Sequence, residues 1–136
     1  MLFGGDTMTG LVIEGIATAP AAATPLEALA HALDAVGQGA FTLARREFVA
    51  RRRAVIAANP ELQEREALKG LGLIASMIGA LERRGVPDLA ARVSAELGAL
   101  AWTIAYERWS DTANGEAFGD VARRTLAEVQ VASALC

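Results

Sequence analysis

Hydrophobic residues recur along this chain with the spacing of α-helices. In a first segment, about residues 6–18, Leu11, Val12 and Ile16 fall on one helical face. Similar recurrence continues to the carboxyl end, and the alternating pattern of a β-strand reaches no useful length. We therefore predict an all-α fold.

The second helical segment has a well-defined start. Thr24 offers a side-chain cap, Pro25 occupies the first helical position, and Glu27 follows the cap by three residues. This spacing predicts a capping box, in which the cap and the glutamate bond each other's backbone N–H groups. The apolar face of this helix consists of Leu26, Leu29, Leu33 and Val36. Gly37 and Gly39 then predict a kink or the close approach of another helix.

The middle of the chain divides at Asn59-Pro60. A helical stretch that begins near Phe41 must end there, because the residue before a proline is disfavoured in the α region. Pro60 starts the next helix, and Gly85 is suited to the left-handed turn that ends it. With the segments on either side, the pattern predicts a bundle of about five to six helices.

The last two predicted helices are apolar on two sides. One starts at Pro87-Asp88, and the other covers about residues 116–134, after a turn-forming stretch at 110–115. A helix that is apolar on two sides must be covered on two sides. We therefore predict that these helices form a four-helix interface with a second copy of the chain. The residues assigned to this interface are Ala99, Trp109, Leu126, Val131 and Leu135.

Composition narrows the class of protein. The 136 residues suffice for one domain, residues 1–136, and the formal net charge of −3 argues against a broad nucleic-acid-binding surface. No apolar run reaches the roughly 18–20 residues of a membrane span, so we expect a cytoplasmic protein without a membrane partner. The single cysteine, Cys136, excludes an intrachain disulfide.

Three stretches resemble the C-terminal domain of TetR-family transcriptional regulators, in particular the subgroup related to the mycofactocin-system regulator. They are residues 48–66 (FVARRRAVIAANPELQERE), 83–87 (RRGVP) and 101–109 (AWTIAYERW). The resemblance covers most of the chain from Leu2 onward, and the motif R-x-x-x-I-A-A-N-P-E-L is its most specific part. It implies a domain that binds an effector, forms a homodimer and relieves repression when the effector binds.

The amino end resembles the sequence that follows the helix-turn-helix of that family. Residues 2–6 (LFGGD) look like the start of the segment after the motif Y-F-P-x-K-E-x-V. The resemblance implies that residues 1–19 are a remnant of the helix connecting to a missing DNA-binding domain, through which alone operator DNA would be bound. A cut chain, a mis-assigned start codon and a natural loss all remain open.

A run of arginines is the densest charge feature. Successive arginines point around a helix, so they do not all face one partner. One interpretation is a solvated face with some pairing to Glu47. In the other, Arg45 or Arg52 receives a carboxylate or phosphate of an acidic ligand. The resemblance to TetR-type regulators implies that other arginines of the run contact the missing DNA-binding domain. The run consists of Arg45, Arg46, Arg51, Arg52 and Arg53.

Large side chains on the central helices either fill the core or form the wall of an apolar pocket, the kind of site that helical bundles offer to ligands. Gly70, Gly72, Gly79 and Gly98 leave room for a ligand or permit close packing. The candidate pocket residues are Phe41, Arg45, Phe48, Arg52, Met77, Trp102 and Tyr106.

Catalytic chemistry has no support in the sequence. His31 has no second histidine or nearby cysteine with which to bind a metal, and Glu96 and Glu107 do not lie on one helical line. No glycine-rich phosphate loop or nucleophile elbow occurs. We expect neither an enzyme nor a cofactor.

Two functional hypotheses follow. The first is the effector-sensing and dimerisation domain of a TetR-type regulator, with a small, largely apolar ligand, for which a fatty acyl thioester is one candidate. The second is a stand-alone helical module that dimerises or binds small molecules and never contacts DNA. An in-frame helix-turn-helix encoded upstream of Met1 would distinguish the first from the second.

Overall fold

The computed structural model describes residues 5–111 and 115–136, with side chains from residue 7 onward. These residues form six α-helices and contain no strand, which confirms the all-α prediction. The predicted amino-terminal seam at residues 2–4 and the centre of the predicted turn at 112–114 lie outside the described residues. The helices are α1 (Gly5–Ala17), α2 (Pro25–Gly39), α3 (Arg46–Ala57), α4 (Pro60–Arg83), α5 (Asp88–Ser110) and α6 (Phe118–Leu135), and a short 3-10 turn (Leu43–Arg45) precedes α3.

Local signals set the helix boundaries. The backbone N–H of Glu27 donates to Thr24 Oγ1 at 3.2 Å, and that of Thr24 donates to Glu27 Oε1 at 2.8 Å, which confirms the capping box. Asn59 ends α3, as predicted, but its side chain also caps α4 by accepting from the backbone N–H of Glu61. Gly85 has a φ of 88° and ends α4 in the left-handed conformation.

The core is built around α2, which packs against α1, α5 and α6. Its buried residues Leu29, Leu33 and Val36 share this core with Val12 and Ile16 of α1. Small residues let the helices come close. For example, a Cβ added to Gly37 would lie 3.1 Å from the backbone nitrogen of Gly119 on α6, so this glycine marks a close helix approach, one of its two predicted roles.

Arg84 fixes the end of α1 against the end of α4. Its guanidinium donates to the carbonyl oxygens of Ile16 at 3.1 Å, Ala19 at 3.0 Å and Pro20 at 2.7 Å. The last carbonyls of a helix lack intrahelical partners, so one arginine satisfies several of them at once. This contact ties the first helix to the central hairpin of α4 and α5.

An aromatic cluster fills the region between α5 and α6. The rings of Phe41 and Trp109 stack with centroids 5.6 Å apart, and Phe118 lies edge-on to Phe41 at 4.9 Å. Trp109 has no exposed surface, and Leu126 is also buried in the same protomer. This placement differs from their predicted position in a dimer interface, because α6 packs across α5 and α2 and covers that face within one chain.

The other three residues assigned to the interface lie elsewhere. Val131 and Leu135 are exposed near the end of α6, and the Leu135 side chain is 83% accessible. Ala99 faces a cavity on the other side of α5. None of the described helices is both long and apolar enough to cross a membrane.

Candidate ligand-binding cavity

A cavity of about 650 Å³ lies between α3, α4 and α5. The amino-terminal part of α1 contributes Met8 and Thr9 to its wall, and the end of α2 leads into Ala40 and Phe41. Small-molecule sites in proteins commonly enclose about 300–1,000 Å³. The cavity is therefore large enough for a metabolite of ordinary size.

The inner wall of the cavity is aromatic and aliphatic. Phe41 lies edge-on to Trp102 at 6.0 Å between ring centroids, and it is tilted against Tyr106 at 5.4 Å. Behind it, the buried Trp109 holds the Phe41 ring by stacking. Because each ring packs against another, the rings support one another in the wall. On the opposite side, α4 supplies Ile74 and its neighbour Leu73.

The mouth of the cavity is also apolar. Phe48 of α3, Leu71 of α4 and Leu100 of α5 line it, although each is at least 48% exposed. Large apolar side chains that face solvent in a cluster usually mark a place where something binds. Their position around the opening provides apolar surface for a ligand that extends beyond the interior.

Charged side chains gather at one end. Arg52 Nη2 on α3 donates to Glu66 Oε1 on α4 at 2.7 Å, and Lys69 Nζ lies 3.6 Å from the same oxygen. Burial opposes the charge of Arg52, but the hydrogen bond and negative charge of Glu66 outweigh it and raise the pKa of Arg52. Tyr106 is close by, with its hydroxyl 3.5 Å from the carbonyl oxygen of Val49. Burial raises the pKa of Tyr106, so its hydroxyl stays protonated at neutral pH although the charge of Arg52 favours ionisation.

The arginine run holds α3 over the cavity. Arg53 Nη1 donates to Ser110 Oγ at 3.3 Å, and Arg46 donates to the carbonyl oxygen of Glu116 at 3.0 Å. Arg46 also lies over the Trp109 ring, 5.4 Å from its centroid. Arg51 faces away and pairs with Glu47 at 3.8 Å, as the solvated-face interpretation predicted. Of the five arginines, Arg52 is the one that lines the cavity.

The structure brings together most, but not all, of the predicted pocket residues. Met77 is fully buried in the core instead of facing the cavity. Arg45 ends the 3-10 turn and places its guanidinium over the Phe48 ring, 5.1 Å from the centroid, outside the cavity wall. The predicted residues that line the cavity are Phe41, Phe48, Arg52, Trp102 and Tyr106.

Sequence reasoning assigned Met77 of α4 to the pocket and missed Leu71 and Ile74, which form the wall on that helix. These two apolar residues lie three apart, a helical spacing that was a usable signal for their place in the wall. Glu66 and Lys69 gave no such signal, because Arg52 lies on a different helix and only the fold brings it close. Of the four glycines considered, Gly70 lines the cavity, whereas Gly98 receives the side chain of Leu29.

The polar groups of the cavity are suited to binding. Among the described residues, no group of three or more histidine, cysteine, aspartate and glutamate side chains is placed to hold a metal ion. The cavity instead combines an apolar interior with one cluster of ion-pairing groups, which is the usual composition of a small-molecule site.

The chain was compared with known proteins. No protein-family model matches it, and no curated protein matches it. The geometry of the cavity is therefore the structural ground for a functional proposal.

Proposed function

We propose that the protein binds a small, largely apolar ligand in the cavity between α3, α4 and α5, as the effector-sensing domain of a TetR-type transcriptional repressor. The ligand-binding part is supported by one observation, the cavity of about 650 Å³ with a braced aromatic wall and an apolar mouth. The regulatory part is supported by the sequence resemblance of residues 48–66, 83–87 and 101–109.

Binding is driven by removal of apolar surface from water. Each 100 Å² of apolar surface buried contributes about 2.5 kcal/mol before the costs of association are subtracted. Phe41 and Trp102 present rigid rings to the ligand, so little side-chain entropy is lost when it binds. The open mouth at Phe48 and Leu71 gives the ligand a route of entry.

The first helix offers a route from the cavity to a DNA-binding domain. Met8 and Thr9 of α1 line the cavity, and the sequence resemblance equates this helix with the connector to such a domain. A ligand that binds one position of α1 more tightly than another shifts the equilibrium between them. In an intact dimeric regulator, this shift would change the spacing of two DNA-binding domains on their half-sites.

A thermal-shift screen tests ligand binding. We expect some member of a panel of apolar metabolites and acyl-CoAs to raise the unfolding midpoint of the protein, because a ligand that binds only the folded state stabilises it. The substitutions Trp102→Ala and Phe48→Ala should abolish that rise, since both side chains line the cavity. Leu68→Ala is the control, because Leu68 is an exposed apolar residue of α4 outside the cavity wall. A panel without effect, or a rise that survives both substitutions, would contradict the proposal.

Self-association is the second part of the proposal. We propose that α5 and α6 pair with the same helices of a second copy, through Val131 and Leu135 as the sequence indicated and through exposed residues of α5 in place of Ala99, Trp109 and Leu126. Exposed apolar side chains on neighbouring helices support this, because a two-fold arrangement covers the same surface on both copies. These side chains are Leu89, Val93, Val131 and Leu135.

A further inference from the structure

The charged end of the cavity contains a carboxylate held between two cations. Glu66 Oε1 lies 2.7 Å from Arg52 Nη2 and 3.6 Å from Lys69 Nζ. All three side chains line a cavity that is otherwise mainly apolar, next to Tyr106. This cluster differs from an ordinary surface ion pair because all three of its side chains also line a cavity large enough for a ligand.

We propose that the cavity takes an amphipathic ligand ending in a carboxylate, and that this carboxylate replaces Glu66 on Arg52 and Lys69. The inference rests on the proposed ligand-binding function and specifies the chemical class of the ligand. Glu66 then acts as an internal stand-in for the ligand's head group when the cavity is empty.

The geometry favours an exchange of one carboxylate for another. A guanidinium presents five N–H donors in a planar fork, which matches a carboxylate in a two-point contact. Glu66 receives its Arg52 bond on one oxygen, Oε1, from Nη2. A ligand carboxylate entering from the cavity brings the same charge and the same planar shape, so the exchange leaves the net charge of the cluster unchanged.

The Glu66 carboxylate can separate from Arg52 and Lys69 without a large loss of stability. The side chains of Arg52, Glu66 and Lys69 are all partly exposed, between 37% and 50%. Ion pairs with this degree of exposure add little net stability, because water and dissolved ions compete for both partners. Breaking the ion pair between Arg52 and Glu66 therefore reduces the stability of the folded state only slightly. The released Glu66 carboxylate is then hydrated by solvent at the mouth of the cavity.

The local charge balance also favours an anion. Two cations and one anion lie within 4 Å at this end, and the raised pKa of Arg52 keeps its guanidinium charged. Glu96, the remaining acidic residue of the wall, belongs to α5 and lies more than 4 Å from both cations. The hydroxyl of Tyr106, which donates to the carbonyl oxygen of Val49, stays protonated and adds no negative charge near Arg52.

The apolar interior of the cavity favours a ligand whose part beyond the carboxylate is apolar. From the charged cluster, the wall continues through Tyr106 and Trp102 to Phe41 and, on α4, through Gly70 to Ile74. A hydrocarbon chain or ring attached to the carboxylate meets these surfaces once its head group is on Arg52. The site thus fits an organic acid with a substantial apolar body better than a small polar acid.

Titrations with two ligands of equal chain length test this inference. Decanoate and decan-1-ol differ in the head group, and binding of each can be measured by calorimetry at pH 7.5, where decanoate is ionised. For the unmodified protein, we expect decanoate to bind at least tenfold more tightly than decan-1-ol. Arg52→Gln should remove this preference by weakening decanoate binding at least tenfold while leaving decan-1-ol binding unchanged.

Two further variants complete the design. Glu66→Gln should tighten decanoate binding several-fold, because the competing internal carboxylate is gone. Arg51→Gln is the matched control, since Arg51 lies on the same helix, is exposed and pairs with Glu47 away from the cavity. It should bind both ligands as the unmodified protein does. Circular dichroism of each variant verifies that it is folded.

The outcomes separate the inference from the proposed function. If decan-1-ol binds but decanoate has no advantage, or if Arg52→Gln behaves like Arg51→Gln, the head-group assignment is overturned and an apolar ligand site remains. Weaker decanoate binding by Glu66→Gln would also overturn it. If neither ligand binds the unmodified protein, the result speaks against the cavity as a ligand site, and the proposed function fails as well.

Discussion

Gly15 lies where two helices come closest in the core. A Cβ built on this residue would lie 2.5 Å from Cα of Ala32 on α2, a backbone atom that cannot move aside without shifting the helix. The carbonyl oxygen of Gly15 also accepts a hydrogen bond from His31 Nδ1 at 2.8 Å. The contact between α1 and α2 therefore depends on the absence of a side chain at this position.

The substitution Gly15→Ala tests this contact. We expect it to lower the free energy of unfolding by about 1–3 kcal/mol, the usual cost of overpacking a core. Gly10→Ala on the same helix is the control, because a Cβ there meets no atom within 4 Å. That variant should be neutral or stabilised by up to about 1 kcal/mol through helix propensity. Urea unfolding measures the free energy of unfolding of both variants. Equal values for Gly15→Ala and Gly10→Ala would show that α1 and α2 are not packed as described.

Single residues differ in how far the sequence determines their role. Thr24 was predictable, because its capping partner Glu27 lies three residues away and the signal is local. Trp109 was assigned to the wrong surface, since a helix with two apolar faces does not reveal which face a neighbouring helix covers. The contact of Arg52 with Glu66 joins two helices, and only their packing brings the two side chains together.

At the scale of elements, an ion pair links α5 to α6. Arg108 of α5 donates from Nη1 and Nη2 to the two carboxylate oxygens of Glu128 on α6, at 3.0 and 3.2 Å, and Nη1 also donates to Thr125 Oγ1. Two parallel bonds fix the relative position of the helices more firmly than a single contact. The hydrogen bond from Arg108 lowers the pKa of Glu128, and the positive charge adds to the effect.

The lowered pKa predicts a direction for the pH dependence. A carboxylate with a lower pKa in the folded state stabilises the fold above its unfolded value of about 4.3, and this contribution is lost as the pH falls through the folded value. The difference in unfolding free energy between the unmodified protein and Glu128→Gln should therefore shrink between pH 7 and pH 3. Glu64→Gln is the control, because Glu64 is exposed on α4 and has no ion pair within the described residues. A difference that stays constant with pH would contradict the assignment.

The elements themselves were largely predictable, and their mutual packing was not. Proline, glycine and capping residues gave the start of α2 and both ends of α4 to within a residue or two, but the end of α2 at Gly39 was interpreted only as a kink or a close approach. The short turn at Leu43–Arg45, which separates α2 from α3, was missed because its apolar spacing continues that of the helix after it. Helical periodicity shows that a face is apolar, but the choice among core, cavity and interface depends on the other helices.

At the scale of the whole molecule, the sequence indicated an all-α bundle and the structure has one. The sequence left open whether the large side chains fill the core or line a pocket, and the assembled fold has a cavity because α3 leaves a space over α4 and α5 that no described helix fills. Val131 and Leu135 were assigned to the surface from the sequence, whereas the exposure of Leu89 and Val93 became visible only in the fold.

Sedimentation equilibrium tests the proposed pairing of two copies. We expect a dimer at micromolar concentration, and Val93→Glu should convert it to a monomer by placing a charge on the exposed face of α5. Leu68→Glu is the control, because Leu68 is also an exposed apolar residue but lies on α4. A monomeric unmodified protein, or dissociation by Leu68→Glu and not by Val93→Glu, would contradict the pairing.

The most direct test of the cavity as a ligand site uses two glycines of one helix. Gly70 lines the cavity and Gly72 is exposed outside it, and a Cβ added at either position meets no atom within 4 Å. Both Gly70→Phe and Gly72→Phe should therefore fold, but only the first places a ring in the cavity.

Calorimetric titration with decan-1-ol then measures ligand binding by the unmodified protein and by the two variants. Ligand binding in the cavity predicts that the unmodified protein and Gly72→Phe bind one molecule per chain with similar affinity, whereas Gly70→Phe binds none. Binding by Gly70→Phe at the affinity of the unmodified protein, or no binding by any of the three proteins, would contradict the proposed ligand site.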